Sequence, residues 1–146
     1  VDGAIHRAAG PALLEACQAV RARQGGCPAG QAVITSAGRL PARFVIHAVG
    51  PCWQDGLHGE PELLAATYRS CFELIRQHGI TSIAFPNIST GIYRFPKDHA
   101  AEIAWHTTQE TLPFLPTLKQ IAFVCFEQDN YDLYQQLITT GHISHP

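Results

Sequence analysis

Hydrophobic and polar positions follow two alternating periods along this chain. Over Asp2–Gln24 the apolar residues Ile5, Ala8 and Ala9, then Leu13, Leu14, Cys17 and Val20, recur at helical spacing. Gly10-Pro11 interrupts the run, and Pro11 suits the first turn of a second helix. Gly25-Gly26 ends it. Ala32–Thr35 reads as a short strand. Phe44–Val49 is apolar nearly throughout, which predicts a strand buried on both faces. Glu60–His78 carries a helical stripe of Leu63, Leu64, Thr67, Cys71, Leu74 and Ile75, and Gly79 closes it. Ile83–Phe85 is a buried strand that breaks at Pro86. Lys97 to about Leu112 is a helix ended by Pro113 and Pro116. Ile121–Phe126 is the last strand. Asp129 is a candidate cap for a final helix carrying Tyr131, Leu133, Tyr134 and Leu137. The tail from Gly141 is expected to fray. Apolar strands alternating with helices predict an α/β layered fold, with helices on both faces of a mixed or mostly parallel sheet.

Composition narrows the function classes. The 146 residues suit one domain, taken as 1–140 with a tail at 141–146, and 46% hydrophobic content fills a core. A net charge of -2 advertises no nucleic-acid surface, and DNA is not an expected partner. No apolar run approaches the length of a membrane span, and no signal peptide is visible. Cys17, Cys27, Cys52, Cys71 and Cys125 form no C-x-x-C pair, which favours reduced thiols in the cytoplasm. The chain opens on Val1, already in a helical pattern, and an upstream segment is expected.

The candidate chemistry centres on Ser82–Pro96, SIAFPNISTGIYRFP. A strand, then a loop of small residues, then a helix presents backbone N–H groups and a helix N-terminus to an anion. Gly91 admits close backbone approach, and Ser89 and Thr90 add hydroxyl donors. Neither the P-loop nor the dinucleotide fingerprint is present. A plain turn is the alternative. Asp2 is either a helix cap or a carboxylate that binds a ligand hydroxyl or activates water. The eight histidines lack metal-site spacing, and His47 reads as a hydrogen-bonded core residue. Ser89 has no G-x-S-x-G elbow to make it a nucleophile. Tyr93, Phe95 and Phe126 follow strands, where an aromatic packs in the core or stacks on a base or sugar.

Four stretches, VDGAIHRAAGP, CPAGQAVIT, LPARFVIHAVGP and SIAFPNISTGIYRFP, resemble the macrodomain family in order, most closely its MacroD-type bacterial O-acetyl-ADP-ribose deacetylases. The resemblance spans Val1 to about Leu137. It implies a three-layer α/β/α fold with a mixed central sheet and an ADP-ribose pocket. It implies that Asp2 positions the distal ribose and a hydrolytic water, and that Gly3, Ala4 and Ile5 line the diphosphate side. Ser89, Thr90, Gly91, Ile92 and Tyr93 match a second phosphate loop, with Tyr93 near the distal ribose, and Phe126 matches the aromatic beside the adenine. The implied reaction is ester hydrolysis on O-acetyl-ADP-ribose, or on ADP-ribose attached to protein carboxylates, without metal or cofactor.

The chain departs from the family pattern in two ways. Arg94 stands where the family usually has glycine, so that it either adds an anion contact at the pocket rim or simply tolerates the backbone there. The family's two leading strands, one of them central in its sheet, are lacking in this chain. An upstream segment of ~30–35 residues, supplying at least two strands, is therefore expected. A non-catalytic ADP-ribose reader, and a regulator acting on a protein partner such as a ribonuclease, are the competing functions.

Overall fold

The structure, a computed structural model, describes residues 2–143, without the side chains of Asp2 and Gln24. Helices α1 (Asp2–Ala9) and α2 (Pro11–Gln24) lead into strands β1 (Ala32–Ser36) and β2 (Phe44–Ala48). Helix α3 (Glu60–His78), strand β3 (Ser82–Phe85), helix α4 (Lys97–Thr111), strand β4 (Gln120–Phe123) and helix α5 (Gln128–Thr140) complete the chain. β1 and β2 pair antiparallel, with Ala32 opposite Ala48, and β3 and β4 pair parallel, with Phe85 opposite Phe123. The expected α/β class with mixed strand directions is therefore present.

The break between α1 and α2 lies where the sequence places it. Gly10 takes φ 80 and Pro11 opens α2. The turn after β1 fixes this junction. Gly38, at φ 58, comes so close that a Cβ on it would stand 2.5 Å from the Ala9 carbonyl oxygen. Next to it, the Arg39 N–H donates to that same carbonyl at 2.8 Å. Only glycine allows this approach, and the approach holds α1 against the sheet.

The core runs from α3 across β3 to α4 and α5. Leu64, Tyr68, Phe72 and Ile75 of α3 are fully buried with Phe85, Ala104 and Leu137. Each large side chain of this kind contributes about 1.5–3 kcal/mol by leaving water. Phe85, Phe123 and Tyr134 stack in series, at 5.8 Å and 4.8 Å between ring centres. This stack seats the ends of β3 and β4, from which the site loops depart. His47 is half-buried, with Nε2 2.8 Å from Thr35 Oγ1. Thr35 Oγ1 also lies 3.0 Å from the Ser36 carbonyl, so the hydroxyl joins the ring to the strand backbone.

Four expectations need correction. The last strand ends at Phe123, not Phe126. Its partner β3 stops at Pro86, which has no N–H to extend the ladder, and the Val124 N–H closes onto the Phe85 carbonyl. Asp129 does not cap α5. The helix starts at Gln128, and the Asp129 carboxylate accepts from Lys97 Nζ. The tail does not fray at once, because Ile143 is buried in the core. β2 is not buried on both faces. All five of its residues are half-exposed, as Ser82 and Ala84 of β3 are exposed.

The last correction has one cause. Among the described residues β2 and β3 do not pair, and a slot of about 860 Å³ runs the length of both, from Arg43 and Thr81 at one end to Gly50 and Ser89 at the other.

Candidate functional site

The C-terminal ends of β2 and β3 meet at one end of this slot, where Gly50 lies against Ile88 and Ser89. Ile5 and His6 of α1 and Tyr93 of the loop after β3 also line the slot. The first-turn N–H groups of α1 lack intrahelical partners, as in any helix, and they carry the positive end of its dipole. The Asp2 backbone begins that turn, and its side chain lies outside the described residues. Gly3 and Ala4 follow it, both exposed.

The loop after β3 is closed on itself. The Phe95 N–H donates to the Ser89 carbonyl and the Arg94 N–H to the Gly91 carbonyl, both at 2.9 Å. Ser89 and Arg94 take positive φ, 68 and 61, at the two ends of this closure. Phe95 is buried beneath the loop against Trp53, with ring centres 4.8 Å apart. The Trp53 N–H donates to the Tyr93 carbonyl at 2.7 Å, tying the preceding loop to this one.

That preceding loop is itself organised by a single carboxylate. Buried Glu60 accepts backbone N–H donors from Gln54, Asp55 and Gly56 on one oxygen and from His58 on the other. Burial pushes the Glu60 carboxyl up, but these donors together outweigh it and hold the pKa at about 2. Asp55, His58 and Glu60 place ligand-type atoms within 4.8 Å of one another. Hydrogen bonds within the loop account for these atoms: Asp55 accepts from the Leu57 N–H and faces the His58 ring.

Ser89 is the most unusual polar group of the site. Its Oγ is buried and has no hydrogen-bond partner among the described residues. Of the residues expected at the site, Ile5, Ser89 and Tyr93 share the slot's wall. Thr90 is half-buried and Gly91 exposed, and neither is on that wall. Ile92 and Phe126 stand out from the surface, 95% and 96% exposed. The sequence reading missed Gly50, Ile88 and His6. Gly50-Pro51 signalled only the end of a strand, and nothing local marks Gly50 as a neighbour of Ser89.

The family model described as Macro domain matches residues 1–104. The chain belongs to the macro domain family. O-acetyl-ADP-ribose deacetylase 1 of Pantoea vagans is 56% identical over 138 residues, 94% of this chain and 81% of the relative. The solved Oceanobacillus iheyensis macrodomain with ADP is 43% identical and superposes with a TM-score of 0.87, over 95% of this chain and 74% of that one. The Trypanosoma brucei macrodomain in complex with ADP-ribose is 38% identical, with a TM-score of 0.82, over 94% of this chain and 56% of that one. The fold read from the macro domain's residues is thus the fold of these relatives. Among its described residues no helix is long and apolar enough to cross a membrane.

Proposed function

We propose that this macro domain binds ADP-ribose where α1 meets the Ser89–Phe95 loop, and that it hydrolyses the acetyl ester of O-acetyl-ADP-ribose there. The observation that carries this reading is the buried, unpartnered Ser89 Oγ on a wall shared with the first turn of α1 and with Tyr93. An orphan hydroxyl on a wall that it shares with a residue of a helix's first turn suits an anion with several acceptor oxygens. A diphosphate is such an anion. The sequence relative named as a deacetylase and the solved relatives holding ADP and ADP-ribose support the same choice.

In this reading Gly3, Ala4 and Ile5 hold one side of the diphosphate, and Ser89, Thr90, Gly91, Ile92 and Tyr93 the other. Phe126 stacks by the adenine. Asp2 orients a water that attacks the ester carbonyl at the distal ribose. The acyl carbon–oxygen bond then breaks, acetate leaves, and the ribose oxygen takes up a proton. The loops contribute by fixing substrate geometry. Mono-ADP-ribose on protein carboxylates presents the same ester chemistry and is a further substrate class. The five unpaired thiols suit a cytoplasmic protein. A ribonuclease partner would use the outer surface and is compatible with catalysis.

The test is calorimetry with ADP-ribose, followed by turnover of O-acetyl-ADP-ribose by wild type and Asp2→Ala. Millimolar ADP-ribose without heat ends the pocket assignment. Loss of turnover with most of the affinity retained is expected for the variant. Full turnover in Asp2→Ala removes Asp2 from the mechanism, and a wild type that binds without turning over is a reader.

We also infer that the slot between β2 and β3 receives one extended strand from outside residues 1–146. The Val49 N–H bonds to Gln31 in β2's ladder, and alternation turns the N–H and C=O groups of Ile46 and Ala48 toward the slot. Ser82 and Ala84 of β3 face it likewise, since the Thr81 and Phe85 carbonyls bond on the β4 side. Two facing rows of backbone groups fit a strand better than they fit a small ligand.

A further inference from the structure

The first residue of α4 is a lysine, and a cation at a helix N-terminus is poorly placed with respect to the dipole. Lys97 nevertheless sits there, with its ammonium turned away from its own helix. Nζ donates to Glu127 at 3.0 Å and to Asp129 at 2.8 Å. These carboxylates occupy the N-cap and first turn of α5, where the dipole favours negative charge. The bridge therefore costs α4 a little and suits α5. Both carboxylates hold the Lys97 ammonium in its charged form, raising its pKa.

The position of this bridge matters more than its strength. Lys97 follows directly on the loop Ser89–Pro96, and Glu127 follows directly on Phe126. The two loops that leave β3 and β4 thus end at the same three charged groups. Phe126 itself stands out from the surface, 96% exposed. The other ties on its loop come before it, where the Val124 N–H meets the Phe85 carbonyl at 2.8 Å and the Cys125 thiol faces Asn87 Oδ1 at 4.0 Å.

We propose that Lys97 is a positioning residue for the proposed ADP-ribose site. By gripping both carboxylates it sets the distance between the diphosphate loop and Phe126, and so selects ligands that carry a base at the right separation from their phosphates. The inference rests on the proposed function, and its test separates the two.

Calorimetry would compare ADP-ribose with ribose 5-phosphate, which lacks the base, on wild type, Lys97→Met, Lys97→Arg and Phe126→Ala. Lys97→Met is expected to weaken ADP-ribose about twofold to fivefold, the range for an exposed ion pair. Ribose 5-phosphate should bind Lys97→Met as it binds wild type, and Lys97→Arg should restore most of the ADP-ribose affinity. In a Phe126→Ala background the Lys97→Met change should add nothing, because the two act through one contact. Equal weakening of both ligands, or full additivity with Phe126→Ala, overturns the positioning role and leaves a structural one. Unchanged ADP-ribose affinity in Lys97→Met also overturns it. A wild type that binds neither ligand fails the proposed function itself.

Discussion

Gly50 lies so close against Ser89 that a Cβ built on it would stand 2.2 Å from the Ser89 Oγ and 2.6 Å from Ile88 Cγ2. The end of β2 and the loop after β3 are thus in contact, although their strands do not pair. Ser89 cannot retreat, because its carbonyl is bonded to the Phe95 N–H and its φ of 68 is fixed by the loop closure.

Gly50→Ala should therefore lower stability by about 1–3 kcal/mol, the usual cost of overpacking. Ser89→Gly in that background removes the clashing hydroxyl and suits the positive φ, so it should recover part of the loss in urea unfolding. Ser89→Ala alone makes a sharper case. It deletes an orphan buried hydroxyl, whose burial costs about 1–3 kcal/mol, so the free protein should unfold no more easily than wild type. ADP-ribose affinity should fall nonetheless. Unchanged affinity would take Ser89 out of the site.

Arg94 holds φ 61, a conformation that costs a residue with a side chain about 1–2 kcal/mol. Part of that gain is offset by the freer unfolded chain of glycine. Arg94→Gly should therefore raise stability by about 0.5–1 kcal/mol, measured as a shift in urea midpoint. Calorimetry on the same variant decides between the two roles considered for Arg94. Affinity equal to wild type assigns it to the backbone alone, and a loss assigns it to the anion.

Glu60 gives the protein a pH-dependent loop. Its folded pKa of about 2 lies below the ordinary 4.5, so its contribution to stability is fully present above pH 4.5 and is lost as pH falls toward 2. Thermal unfolding from pH 6 to pH 2 should show this loss in wild type. Glu60→Gln, which keeps an acceptor but cannot titrate, should be less stable at pH 6 and show a flatter profile. Parallel profiles would mean that other carboxylates dominate acid unfolding.

If the slot between β2 and β3 receives a strand, the amides of Ile46, Ala48 and Ala84 should exchange rapidly in residues 1–146. Rapid exchange is expected because these N–H groups face open space between two unpaired edges. Fusing onto residue 1 the residues of the Pantoea vagans relative that lie outside the match should slow their exchange at least tenfold. About a fifth of that relative lies outside the match. Strong protection already present in residues 1–146, or none after the fusion, would refute the inference.

Helices were the most legible part of this protein. The break at Gly10-Pro11, the extent of α3 and the opening of α4 follow from local signals, because helix hydrogen bonds join residues close in sequence. The strand ends were less legible. β4 stops at Phe123 because β3 stops at Pro86, and that limit comes from a partner 38 positions away, as the Phe85–Phe123 pairing shows. The motif singles out Ser89 and Tyr93, and both line the slot. Nothing local singles out Gly50, whose contact with Ser89 spans 39 positions.

The sequence by itself determined the α/β class, the family and the motif residues, because periodicity and local motifs are written in neighbouring positions. The tertiary structure alone decided that, among the described residues, Ser89 Oγ is buried without a partner, Lys97 joins the two loops, and β2 and β3 stand apart. Those facts depend on distances between residues far apart in the chain, which are set only once α1, the sheets and α5 have packed.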